Sequence, residues 1–345
     1  MSARSRKFQV GFCFCILAIS LFVTIGCKPV LQSIYPFTTS CGTDNEISVK
    51  DRLAADQVAM EFVQDTLGPK PETAYAAFTD ETKTNVSFEQ FAALVKQTIQ
   101  PMAPFKDLHV AHTYLAKVTG GTQAQRVVCG NLASPESWVA VTAKRGPAQA
   151  HVIVEAQTLN NTWVFVIWLM PEQGSWRVEY LQATISAMVG KTAEDLWHLA
   201  DSEEQKNHNL NAYILYATAM QLSARGANFQ LGIQPEIEKE FKNLHPPSNV
   251  QPPPPFIWQF GQSTFKVLNV GPIGIGGKIY LQIDHELEPW ATDKDADRKN
   301  HELISAFAGA YPEYKDAFSG LVVRAHERGG TRGFTTVSEN EPAAK

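Results

Sequence analysis

The segment Trp163-Val164-Phe165-Val166-Ile167-Trp168-Leu169-Met170 is apolar at every position. Successive side chains of a strand point to opposite faces, so this run needs apolar cover on both sides. The chain is therefore expected to build a layered sheet with this segment at its centre. Its neighbours read as strands too: His109–Lys117, Ala124–Gly130, Ser137–Ala143, Ala150–Thr158, Thr162–Met170 and Ser175–Gln182. Most are separated by Gly, Pro, Asn or Ser, and Asn160-Asn161 reads as a tight hairpin. Trp176, Val178 and Tyr180 alternate with Arg177 and Glu179, as in a strand with one wetter face.

Ahead of these strands the period is helical. Leu53, Val58, Phe62 and Val63 share a broad apolar face on a helix that begins near Asp51 and ends at Gly68-Pro69. A second helix is expected at Pro71–Phe78, with its proline in the first turn. A third runs from Ser87 to Ile99, where Ser87 and Gln90 have capping-box spacing. Tyr75-Ala76-Ala77-Phe78-Thr79, Ser87-Phe88-Glu89-Gln90-Phe91 and the closing strand Gly174-Ser175-Trp176-Arg177-Val178 resemble the NTF2-like fold over residues 51–185. The resemblance implies an α+β class, with three helices on a curved, cone-shaped antiparallel sheet. Exported bacterial proteins with NTF2-like domains of unknown role look like this, and the matching residues carry no catalytic motif.

Residues 191–244 are read as a helical pair with an extension. Ala193, Leu196, Trp197, Leu199 and Ala200 form one apolar stripe; Ala212, Tyr213, Leu215, Tyr216, Ala219, Met220 and Leu222 form another. The pair is faintly similar to one tetratricopeptide repeat. A lone repeat cannot bury its faces, so packing against the first domain is expected. Residues 245–255 hold six prolines and read as an extended linker. Beyond it, Phe256–Phe260, Phe265–Val270 and Lys278–Glu286 read as strands, with Gly271–Gly277 a turn. Asp295–Phe318 reads as a helix interrupted at Pro312, and Leu321–His326 and Gly333–Val337 as closing strands. The expected order for residues 256–338 is ββαββ, a small α+β domain followed by a tail at 339–345.

The amino terminus addresses the chain. Arg4, Arg6 and Lys7 precede an uncharged, mostly apolar run from Phe8 to Gly26, which ends at Cys27. This is the layout of an export signal. Val23-Thr24-Ile25-Gly26-Cys27 resembles a bacterial lipobox, which implies a signal peptide over residues 1–27 and a lipidated amino-terminal Cys27. The expected location is then extracytoplasmic and membrane-anchored, in the periplasm, at the outer membrane or on the cell surface. An uncleaved anchor helix and simple secretion are the alternatives. Residues 28–50 read as a partly ordered tether.

The formal net charge of the 345-residue chain is −5. Removing the three basic residues of the signal takes it to −8. An acidic body argues against a general nucleic-acid binder, which needs clustered Lys and Arg. A hydrophobic content of 44% excludes a wholly disordered chain.

Cys41 and Cys129 remain once the signal cysteines are set aside. Either an oxidising compartment joins them or they are unrelated thiols, and the sequence leaves both open. Two cysteines without CxxC spacing give no support for a zinc site. Gly271–Gly277 lacks the spacing of a nucleotide loop and leads into a strand, so a glycine hairpin is expected. Asp293-Lys294-Asp295-Ala296-Asp297 mimics a calcium loop, but Arg298 stands where the turn needs Gly. These acids are expected to cap the following helix. Asp284-His285-Glu286, Glu288 and His301-Glu302 lack the spacing of a metal motif. His151 and Glu155 share a strand face and form an acid–base pair if that face lines a cone cavity with Tyr114, Trp138, Trp163 and Trp168. Apolar neighbours on the opposite face favour an outward, ordinary surface placement.

No catalytic, cofactor-binding or metal-binding residues are assigned. The expectation is a non-enzymatic binding or interaction module in the cell envelope, held at the membrane by a lipid anchor, with an unidentified ligand or envelope protein partner and no nucleic acid. The alternatives are a small-ligand carrier or enzyme using the cone cavity, and a scaffold subunit of an envelope assembly.

Overall fold

The computed structural model describes residues 38–340 except 122, 246, 248, 249, 251–253 and 291. The signal at 1–27, with Cys27, and the end of the tail lie outside the described residues. The described chain is α+β, built from a curled antiparallel sheet and several helices.

Strand β1 (Thr38–Thr43) leads into helix α1 (Val49–Leu67), capped by the Ser48 side chain on the Asp51 amide. Short helices α2 (Pro71–Ala76), α3 (Asp80–Asn85) and α4 (Phe88–Leu94) follow. The Ser87–Gln90 capping box is present, and a turn of π-helix carries α4 on to Ile99. Among the described residues four helices thus precede the main strands, one more than expected. The extra one, α3, buries none of its residues and shows no apolar period.

The strands are β2 (Lys106–Thr119), β3 (Gln125–Gly130), β4 (Trp138–Ala143), β5 (Gln149–Gln157), β6 (Asn161–Glu172), β7 (Ser175–Met188) and β8 (Lys191–Thr192). Six of these elements form one sheet in the order β1-β2-β5-β6-β7-β8, antiparallel throughout. Register shifts in β2 against β5 and in β6 against β7 fall where extra residues bend the strands. The expected tether at 28–50 therefore contains an edge strand and the start of α1.

The apolar run on β6 is covered on both faces. Trp163, Phe165 and Ile167 point with Val152 and Val154 into a core closed by Phe62, Phe78 and Phe91 from the helices. Val164 and Val166 point with Ile153 to the other side, where Val127, Val141 and Phe229 cover them. That cover is a second sheet, β3-β4-β9, in which β9 is Phe229–Leu231.

Helices α5 (Ala193–Gln205), α6 (Asn209–Ser223) and α7 (Ile233–Asn243) come next. The carboxy-terminal sheet contains β10 (Phe256–Phe260), β11 (Ser263–Ile275), β12 (Lys278–Leu287), β13 (Gly320–Glu327) and β14 (Gly333–Glu339), in that order. Helices α8 (Asp293–Ala310) and α9 (Tyr314–Ala317) cross between the parallel neighbours β12 and β13. Three strands precede α8, so the expected ββαββ order is corrected to βββαββ. The three segments read as strands before the helix all form, as β10, β11 and β12. The turn expected at Gly271–Gly277 is shorter because Gly271, Gly274 and the residues between them continue β11 and pair with β12. Only Gly276-Gly277 turn, with φ of 57° and 80° that suit glycine.

The helical pair finds its partner beyond the prolines. Leu215 and Ala219 of α6 and Ile237 of α7 share one core with Trp258, Val267, Ile283, Phe307 and Val323. Among the described residues, Ile185 and Met188 of β7 join it from the first sheet. The expected packing against the first domain is thus present along β7, and the apolar stripes also close the carboxy-terminal core. No helix among the described residues is long and apolar enough to cross a membrane.

Candidate functional site

The interior between the helices and the six-stranded sheet is occupied by side chains. Phe62 and Phe78 meet edge-to-face at 5.3 Å, Phe78 and Phe91 at 5.3 Å, and Phe105 and Trp163 at 5.9 Å. The most developed concavity lies on the opposite face, where the six-stranded sheet emerges from under β3-β4-β9. It is a cleft of about 410 Å³. A surface depression of about 530 Å³ lies near Lys278, Lys315 and Glu339, but Lys278 and Glu339 are already paired there at 3.2 Å. The cleft is the better candidate because several polar groups converge in it and its arginine, Arg225, has no carboxylate partner among the described residues.

Alternation on the strands builds its walls. Val154 and Ala156 of β5 turn into the helix-side core, so Glu155 and Gln157 face the cleft. His112 and Tyr114 of β2 share that face, beyond the register shift between Val110 and His112. Glu136, just before β4, and Trp138 on β4 form the opposite wall. Gly232 fixes the indole of Trp138, because a Cβ there would lie 2.6 Å from the ring. The remaining sides are Ala193 and Glu194 at the start of α5 and Arg225 in the loop after α6.

Arg225 is the unusual member. It is 8% exposed, and its Nη1 donates to the carbonyls of Leu222 at 2.5 Å and Ala224 at 3.1 Å. No carboxylate among the described residues lies within ion-pair distance of it. Burial pulls its pKa down to about 10, with the Glu155 carboxylate working in the opposite direction. Glu155 itself has His109 Nε2 at 3.8 Å.

The other end of the cleft carries an imidazole–carboxylate pair. His112 Nδ1 lies 3.0 Å from Asp44 Oδ2, and Asp44 Oδ1 accepts from the Thr113 amide at 2.8 Å. Asp44 holds φ at 40°, a conformation that an Asp tolerates and most residues avoid. Tyr114 sits beside the pair. Burial, and then the Asp44 charge, push its pKa up to about 12, so its hydroxyl stays protonated and available as a donor.

The residues singled out from the sequence go to three places. Glu155 lines the cleft. His151, on the same face of β5, is fully buried beneath the small sheet and stacks on Trp168 at 5.3 Å, with Nε2 2.8 Å from the Thr142 carbonyl. Trp168 donates to Gln149 at 3.2 Å. Trp163 lies on the opposite face, in the helix-side core. No hydrogen bond or ion pair joins His151 to Glu155 among the described residues. The outward surface placement fails for His151 because β3-β4-β9 covers that face. Tyr114 and Trp138 do reach the cleft.

Cys41 and Cys129 are joined by a disulfide with Cα atoms 5.1 Å apart, linking β1 to β3. The acids at 293–297 begin α8, where Thr292 caps the Asp295 amide and Asp295 receives the Thr292 hydroxyl at 2.7 Å. His285 is buried against Asn300 at 2.8 Å, while Glu286 pairs with Lys266 and Glu288 with Arg328. Among the described residues, one group has metal-like spacing: Glu203, His208 and Asp316. The Lys206 ammonium already lies 2.7 Å from Glu203, which disfavours a cation there. Arg225, Glu136 and the His112–Asp44 pair were not singled out from the sequence. No local motif marks them, since each comes from a different element. Searches against protein-family models, curated proteins and solved structures found no match to this chain.

Proposed function

We propose that the chain is an exported lipoprotein of the bacterial cell envelope, anchored through Cys27, whose folded body is a binding module on an NTF2-like frame. The binding surface is the cleft between the six-stranded sheet and β3-β4-β9. The observation that carries the binding reading is Arg225, a buried cation that lines an open cleft without a protein carboxylate. Burying a charge unpaired costs several kcal/mol, so such groups cluster where a ligand supplies the partner. The disulfide between Cys41 and Cys129 supports the extracytoplasmic reading, because such bonds persist in oxidising compartments. The filled helix-side core weighs against a ligand inside the cone.

Ten residues, and so eleven Cα-to-Cα steps, separate Cys27 from Thr38, where β1 begins. A fully extended segment of that length spans at most about 36–40 Å. A lipid on Cys27 therefore keeps the cleft-bearing body close to the bilayer surface.

Two experiments test this reading. Fractionation of cells making the full chain should place it with membranes, and Cys27→Ser should release it or leave it unprocessed. Thermal-shift screening of the full chain against a broad small-molecule panel should give hits that Trp138→Ala loses. A soluble, unmodified protein would contradict the anchor, and a panel without any such hit would contradict the cleft.

The His112–Asp44 pair favours a second reading, an enzyme using the same cleft. A carboxylate that orients an imidazole beside a protonated Tyr114 is the arrangement a general base needs. Turnover of a hit compound, lost in His112→Gln with binding retained, would establish it.

A further inference from the structure

We infer that the cleft takes a small zwitterion with an apolar flank, an amino acid or short peptide with free ends, its carboxylate on Arg225 and its ammonium facing Glu155. This rests on the cleft being the binding site.

The fork of Arg225 argues for the carboxylate. A guanidinium has five N–H donors in a rigid plane, matched to two carboxylate oxygens. Only Nη1 is engaged, by the Leu222 and Ala224 carbonyls, and Nε and Nη2 have no partner among the described residues. A bidentate carboxylate would complete the set and neutralise the buried charge.

The carboxylates of the cleft argue for the ammonium. Glu155, Glu136 and Glu194 line the same cleft, against one arginine. Their protein partners are His109 at 3.8 Å, the Ser134 hydroxyl and His198 at 3.8 Å, and Lys or Arg pairs with none of them among the described residues. A polyanion such as a nucleotide would meet three carboxylates, and a simple cation would leave Arg225 unsatisfied. One anionic and one cationic group complement both sides. Trp138, Leu231 and Ile233 add an apolar lining to the same cleft.

The test is calorimetric titration of the detergent-solubilised full chain with five probes. These are L-alanyl-L-leucine, its N-acetyl form, its C-terminal amide, the doubly capped form and free L-leucine. The free dipeptide should bind, and each cap should weaken binding at least tenfold. Glu155→Gln, which leaves the Arg225 carbonyl bonds intact, should abolish discrimination against the N-acetyl form while keeping that against the amide. Arg225→Gln should do the reverse, and because Arg225 braces the end of α6, its melting curve is recorded alongside. Tenfold tighter binding of the dipeptide than of leucine assigns the ligand to peptides; equal or tighter leucine binding assigns it to free amino acids. Equal binding of free and doubly capped peptide overturns the zwitterion. So does silence from all five probes while the broad panel still yields hits lost in Trp138→Ala, in which case the cleft survives as a site. Silence from both overturns the cleft itself.

Discussion

Cys41 of the edge strand β1 is covalently joined to Cys129 of β3, so the first described strand is fastened to the small sheet that walls the cleft. The bond closes a loop of 88 residues. Chain-entropy arguments give such a loop roughly 4–5 kcal/mol of stabilisation, through restriction of the unfolded chain. Reduction and alkylation should therefore lower unfolding stability by about 2–5 kcal/mol, read as a shift in urea midpoint. Coincident curves for the oxidised and reduced chains would refute this.

His151 gives the fold a defined acid limit. Burial pushes its pKa down from 6.5 to about 4, against the opposing effect of the Thr142 carbonyl. The unfolded chain thus binds the proton more readily than the folded one. The His151 contribution is fully present above about pH 6.5 and is lost as pH falls toward 4, by about 3 kcal/mol. His151→Gln should flatten the stability profile across that window. An unchanged slope would mean that other groups set the acid transition.

Glu203 holds the helical pair to the carboxy-terminal region. Its buried carboxylate accepts from Asn211 Nδ2 at 2.7 Å, Lys206 at 2.7 Å and His208 Nδ1 at 2.9 Å. Asn211 Nδ2 also donates to the Glu313 carbonyl at 2.7 Å, next to α9. Burial, the largest single influence, pushes the Glu203 pKa up, yet the bonds from Asn211, Lys206 and His208 together hold it below the ordinary value. Glu203→Ala strands three donors and should cost about 3 kcal/mol in urea unfolding. Glu203→Gln keeps an acceptor and should cost less. A loss below about 0.5 kcal/mol for Glu203→Ala would show that the cluster is not a structural tie.

The strands of the first half were legible because alternation and continuous apolar runs state which faces need cover. Trp163–Met170 is central for that reason. Strand β1, with the sequence TTSCGT, was not legible: it is short and polar, and it pairs along one edge only. Helix α3 was missed because DETKTN buries nothing and is defined by its Thr79 cap. The stripes on α5 and α6 named a buried face without naming its partner, and topology supplied the carboxy-terminal sheet. The cleft was nearly invisible for a related reason. Glu155 was in view through its face-sharing with His151, but Arg225, Trp138 and Asp44 meet it only through sheet order. The buried placement of His151 depended on β3-β4-β9 folding back over β5, which no local pattern announces.

The central claim is a folded binding module held at a membrane through Cys27. Its most direct test is intact-mass and amino-terminal peptide mass spectrometry of the protein purified from bacterial membranes. The account predicts a mature chain beginning at Cys27 and carrying acyl groups on that residue. A chain that retains residues 1–26, or one that begins elsewhere without lipid, would contradict it.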